Sequence, residues 1–319
     1  MNRVNMEDML FVEPDLRITS IFRVHPFTFT EGYRDLTGFI REVNQAVIGV
    51  RTSDSVSIPA ASSSLLGIFD VLKGWVSECS STSDGRGEET DGSGFLKWHT
   101  LLLKNSGPFL EGVLPTELHP ALVEVSAYLV DSFGNEAAFL TFLMCLYRIG
   151  YLDVEDLKAI ALRIFVEYLK LCRMLQELYN LKPANKSQFA IDDYQFVPYI
   201  WGSAQLIGNE LNLVPESYAD RTTVEKYAGD YLILDAVKYI FEKKSGEFHE
   251  HSQELWNITA IHTWERLNNG LLRMYEAEVL QKFNVVRRFR FGSLFSFERR
   301  DDAPQEAGYI TDEDSDLID

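Results

Sequence analysis

The chain is 319 residues long and 46% hydrophobic, with 21 Phe and 14 Tyr, enough apolar material for one large core or two closely packed ones. Its formal charge of -18 opposes long-range attraction to phosphate backbones and anionic lipid, which sets aside nucleic acid and membrane as principal partners. Cys79, Cys145 and Cys172 form no paired framework, and neither a signal peptide nor a long uncharged run is evident, so a cytoplasmic protein is expected, with the nucleus as a second compartment.

Taken in chain order, Phe39, Ile40, Val43 and Val47 predict a helix over 33–50, and Leu65, Ile68, Phe69 and Leu72 another over 62–76. Residues 77–94, rich in Ser, Gly and acids, predict a mobile loop. A short helix is expected over 96–103. The next helix is expected to start near Pro115, Thr116 and Glu117 and to end at Gly134. Residues 136–150 are apolar nearly all round, the pattern of a central buried helix, and 153–179 should form the longest helix. Helices are further predicted over 224–243 and 251–283, the second interrupted around Asn268 to Gly270. Strand patterns are scarce, and the acidic end TDEDSDLID reads as disordered. The expected division is a flexible segment 1–20, a single helical domain 21–298, and a disordered tail 299–319.

No phosphate-cradling glycine loop, GxGxxG turn, GxSxG elbow or paired CxxC site is present. His249 and His251 in FHEH point to different sides of a helix and find no further ligand, which favours a solvated loop over a metal site. Asp192 and Asp193, in IDDYQFVPYIWGSAQL, support two readings. They are carboxylates accepting backbone N–H bonds at a helix start, or a pair that holds Mg2+ beside a groove walled by Tyr194, Phe196, Tyr199 and Trp201. In KFNVVRRFRFGSLF, Lys282, Arg287, Arg288 and Arg290 alternate with Phe283, Phe289, Phe291 and Phe295. That pattern fits a half-buried extended segment, with an anion or acidic-partner site as the competing reading.

Four segments carry a resemblance: EAAFLTFLMCLYRIGYL, DDYQFVPYIWGSAQL, HSQELWNITAIHTWERLNNGLLRMYEAEVL and FGSLF. In their order and spacing, from about Tyr33 to Phe295, the chain resembles the phosphotyrosyl phosphatase activators, which act on the protein phosphatase 2A catalytic subunit. The resemblance implies an all-α fold of core, lid and linker subdomains around a deep cleft. It implies a chaperone-like partner of that subunit with peptidyl-prolyl cis/trans isomerase activity on a proline-containing segment. It also implies Mg-ATP in a composite site shared with the phosphatase, and a monomer or a peptide-driven dimer. Carried over by position, the partner cleft would be lined by Asp192, Asp193, Tyr194, Met274, Glu276 and Glu278. Asp193 would be the Mg2+ carboxylate, and Asn284, Arg287 and Arg288 would lie near the nucleotide. Phe196 and Trp201 are expected to pack beneath, and no catalytic residue is assigned.

The chain also departs from this family. Members insert a glycine-rich, basic turn where Asn135 here joins Glu136 directly, and the family's glycine-rich loop with a tryptophan is replaced by ANKSQFAIDD. Two readings follow: an activator that uses nucleotide through altered residues, and a phosphatase-binding protein of the same fold that does not use nucleotide.

Overall fold

The computed structural model describes residues 3–81, 93–182, 191–192 and 194–303. We name ten helices: α1 (Glu31–Ala46), α2 (Ala60–Ser81), α3 (Ser93–Glu111), α4 (Leu122–Asp131), α5 (Glu136–Arg148), α6 (Phe165–Leu178), α7 (Val197–Gln205), α8 (Arg221–Tyr227), α9 (Leu232–Lys243) and α10 (Trp264–Tyr275). The all-α expectation holds, since the described strands are only β1 (Asp15–Leu16) and β2 (Arg290–Phe291), paired antiparallel.

Helix α5 is the centre of the molecule. Every residue from Phe139 to Tyr147 is buried, as a helix without a polar face requires. It packs on α4 and α1, while α7 packs on α9 and α10, and α1 touches both groups. Polar joints fix this second contact. Asn44 and Asn268 exchange amide hydrogen bonds of 2.9 and 3.0 Å, and Asn268 Nδ2 also donates to Ile200 O and Ser203 Oγ. Trp201 Nε1 donates to Ile40 O at 3.2 Å, and Gln205 Oε1 accepts the Leu232 amide at the start of α9. Gly202 lies so close to α9 that a methyl group there would overlap the Ile233 backbone.

Several boundaries differ from those expected. The predicted break at Asn268 to Gly270 does not occur, because the Asn268 side chain finds buried partners in α1 and α7 and stabilises a continuous helix. The interruption falls at 259–263, where Thr263 caps α10 by accepting from the Arg266 amide. Residues 224–243 divide into α8 and α9. The short helix of 96–103 extends to α3, 19 residues long with Pro108 inside it. Pro120 lies in a 3-10 segment, Thr116–Ala121, ahead of α4. The long helix expected over 153–179 runs unbroken from Leu157 to Leu178, with a π turn at Ile160–Ile164 ahead of α6, and equals α2 in length.

The expected loop 77–94 is narrower, since 77–81 continue α2 and Ser93 opens α3; residues 82–92 lie outside the described residues. Residues 3–20, expected to be flexible, run along the body. The Val4 amide donates to Arg148 O at 2.9 Å, β1 pairs with β2, and Ile18 is buried. In the tail, Arg299 bridges to Thr30 and the Arg300 amide donates to Phe29 O; residues 304–319 lie outside the described residues. Cys79, Cys145 and Cys172 are all buried thiols.

Candidate functional site

The turn before α7 is built from below. Asp192 Oδ1 accepts from the Tyr194 and Gln195 amides at 2.7 and 3.2 Å, and its Oδ2 accepts from Tyr199 Oη at 2.5 Å. This is a side chain closing its own turn, not a helix cap. The expectation that the acidic pair sits at the helix start is corrected for Asp192, because residues 194–196 intervene and Pro198 stands in the first turn of α7. The carboxylate at that helix start is Glu136, which accepts from the amides of Phe196 (2.9 Å) and Val197 (3.2 and 3.3 Å). Tyr194 Oη donates to Leu181 O at 2.9 Å. Phe196 and Trp201 are buried beneath, as expected, and Asp193 lies outside the described residues.

Glu136 is itself in the first turn of α5, where Asn135 caps the helix by accepting from the Ala137 amide at 3.0 Å. Desolvation of the carboxyl group of this half-buried residue pushes it up to about 8 against the opposing pull of the two amides, and Asp192 nearby raises it further. One carboxylate thus connects the first turn of α5 to the floor of the Asp192 turn.

The remaining residues occupy two neighbouring positions. Met274 is half-buried on α10, whose Tyr275 ring meets Phe196 edge-on at 5.4 Å, bringing this helix against the base of the Asp192 turn. Glu276 and Glu278 lie in a π turn, Glu276–Leu280, where Glu276 pairs with Arg41 and Glu278 with Lys282. Asn284, Arg287 and Arg288 are exposed, and the Arg287 guanidinium lies over the Phe283 ring at 5.8 Å. Asp192 makes no hydrogen bond or ion pair with these three among the described residues. No cluster of three or more His, Cys, Asp or Glu suited to a metal occurs among the described residues either.

FGSLF wraps a second buried carboxylate, that of Glu124. Glu124 accepts from the amides of Val12 (3.1 Å), Ser293 (2.9 Å) and Leu294 (2.8 Å), and from Ser293 Oγ (2.5 Å). Gly292 has no room for a side chain against that carboxylate. Phe291 and Phe295 stack at 4.8 Å and meet Phe27, so the aromatic half of the segment is core and its arginines remain outside. Sequence reasoning missed Glu124 and Glu136. Both stand on apolar helices, and their partners lie 60 or more positions away.

Fold and site together define a class: an all-helical protein whose candidate polar groups sit on turns held from beneath by buried carboxylates. The chain belongs to the phosphotyrosyl phosphate activator (PTPA) protein family, whose model matches residues 14–297. It is 34% identical over 280 residues to a serine/threonine-protein phosphatase 2A activator of Drosophila melanogaster, covering 84% of this chain and 70% of that one. To the probable serine/threonine-protein phosphatase 2A activator 1 of Dictyostelium discoideum it is 30% identical over 304 residues, covering 92% and 93%. The crystal structure of the PP2A phosphatase activator Ypa1 is similar in fold, with a TM-score of 0.84 and 25% identity, over 94% of this chain and 99% of that one. The family read from the four sequence segments is therefore the family found.

Proposed function

We propose that this chain activates the protein phosphatase 2A catalytic subunit, acting as a chaperone-like partner with peptidyl-prolyl cis/trans isomerase activity on a proline-containing segment. The observation that carries the reading is the similarity in fold to a phosphatase activator over 94% of the chain. Rotation about an X-Pro bond faces a barrier of roughly 18 to 20 kcal/mol, and a surface that disfavours the planar amide lowers it without a covalent nucleophile. The turn of Asp192, Asp193 and Tyr194, with Met274, Glu276 and Glu278, is the proposed partner surface. The protein works as a monomer or as a dimer driven by peptide, in cytoplasm and nucleus.

Mg-ATP is proposed as a ligand shared with the phosphatase. Arg287 and Arg288 fit its phosphate end, being exposed and in no ion pair among the described residues. Asp192 does not fit the metal, because both its oxygens already accept hydrogen bonds. The metal carboxylate of this reading is Asp193.

A second reading, binding without nucleotide use, is favoured by one observation. Asn135 caps α5 directly, and Glu136, beside it, is already occupied by the Phe196 and Val197 amides. Incubating inactive catalytic subunit with the full chain, with and without Mg-ATP, and following phosphoserine-peptide hydrolysis separates the two. ATP-dependent recovery is expected; co-purification without any recovery would leave only binding.

A further inference from the structure

Charge is divided unevenly along the last part of the chain. Residues 282–300 carry six basic side chains, Lys282, Arg287, Arg288, Arg290, Arg299 and Arg300, against one acid, Glu298. Residues 301–319 then carry eight acids and neither Lys nor Arg. Among the basic six, Lys282, Arg290 and Arg300 already face the carboxylates of Glu278, Asp131 and Asp302. Arg287 and Arg288 are exposed and in no ion pair among the described residues. In a chain where acids outnumber Lys and Arg by 48 to 30, two adjacent guanidinium groups without a carboxylate are an exception.

The fold brings the end of the described chain to the same place. The Glu31 amide donates to Glu298 O at 2.9 Å and the Arg300 amide to Phe29 O at 3.0 Å, so residues 298–300 run along the start of α1. Two residues before Phe29, the Phe27 ring meets the Phe289 ring edge-on at 6.0 Å, and Phe289 directly follows Arg288. The arginine pair and residue 300 are therefore anchored to one short stretch, 27–31. A turn closed by the Ala303 amide on Arg300 O, at 3.2 Å, ends the described residues there.

We infer that the acidic segment 312–316 docks on Arg287 and Arg288 of its own chain, its carboxylates meeting the two guanidinium groups. Asp312 stands nine residues beyond Ala303, and nine residues span up to roughly 30 Å, ample for a target anchored to 27–31. Guanidinium forks match carboxylate oxygens, and the consecutive acids Asp312, Glu313 and Asp314 offer each arginine a partner in more than one register. Single exposed pairs are weak and screened by salt, so the tether decides the outcome: it holds the acids at an effective concentration on the order of millimolar. Residues 1–281 keep a net negative charge, which repels the segment from most other surfaces. Docked in this way, the segment is an internal cap that an outside anion must displace before it reaches Arg287 and Arg288. The docking does not rest on the nucleotide reading; only its consequence for Mg-ATP does.

The test is fluorescence anisotropy, without nucleotide, of a labelled peptide with the sequence of residues 304–319, added to three full-length chains. The first is unchanged. The second carries Asp312→Asn, Glu313→Gln, Asp314→Asn and Asp316→Asn, which remove the charges of its own segment. The third adds Arg287→Glu and Arg288→Glu to these. The peptide is expected to bind the second chain about tenfold or more tightly than the first, whose own segment occupies the arginines, and the third about tenfold or more weakly than the second. Binding to the second should fall as salt rises from about 50 to 200 mM. Circular dichroism and melting temperature should agree among the three, since Arg287 and Arg288 are exposed, which separates lost binding from lost folding. Equal affinity for the first and second chains, or affinity for the third equal to that for the second, would overturn the inference.

Discussion

Glu124 and Glu136 are the same device used in two regions with different results. Both carboxylates stand on neighbouring helices, Glu124 buried and Glu136 half-buried, and each holds a distant loop by its backbone amides. Glu124 receives four donors from two separate segments, 12 and 293–294. Glu136 receives two amides, and burial pushes it up to about 8. Glu124 thus clamps residues 293–294 onto α4, whereas Glu136 is a titratable support under the candidate site.

The strongest way to break this comparison is Glu124→Ala. It strands the Val12, Ser293 and Leu294 amides together, and the expected loss is about 3 kcal/mol or more, read as a fall in the urea midpoint. A comparable control away from both clamps is Gly202→Ala. The added methyl group overlaps the Ile233 backbone, which should cost about 1 to 3 kcal/mol in the same assay.

Glu136→Gln sharpens the contrast through pH. Because the folded carboxyl titrates near 8 and the unfolded one near 4.5, the folded state holds a proton that the unfolded state has released between these values. The Glu136 contribution is thus fully present below about pH 4.5 and is lost as pH rises through 8. Melting temperatures measured across this window should fall less steeply in the Gln variant; an identical slope would show that Glu136 does not titrate there.

Arg287→Glu together with Arg288→Glu tests the exposed end of the same C-terminal segment. Stability should change by less than about 0.5 kcal/mol, while the ATP-dependent part of phosphatase recovery is lost. The smallest effect is expected from Lys243→Ala, which removes an exposed pair with Glu177 and should move stability by less than about 0.5 kcal/mol.

What the sequence made legible follows from range. Helix α5 could be read directly, since burial on all sides leaves an apolar record in consecutive residues, and the packing of Phe196 and Trp201 beneath the turn follows the expectation drawn from the resemblance. Asn268 and Gly270 carry the local marks of a helix break. Their actual roles, a buried amide joint to Asn44 and a position with open space beside it, depend on residues far away or on solvent. Asp192 was misplaced for the same reason, because the carboxylate at the start of α7 is 60 residues earlier in the chain and stands inside an apolar helix.

Finally, the three buried thiols give the molecule an internal clock. Burial raises all three, Cys172 to about 12, and thiolate is the form that alkylating reagents attack. Cys79 lies in α2, Cys145 in α5 and Cys172 in α6, so each should be labelled only when its own helix opens. The order in which mass spectrometry finds them modified would rank the opening of these helices, with the central α5 last.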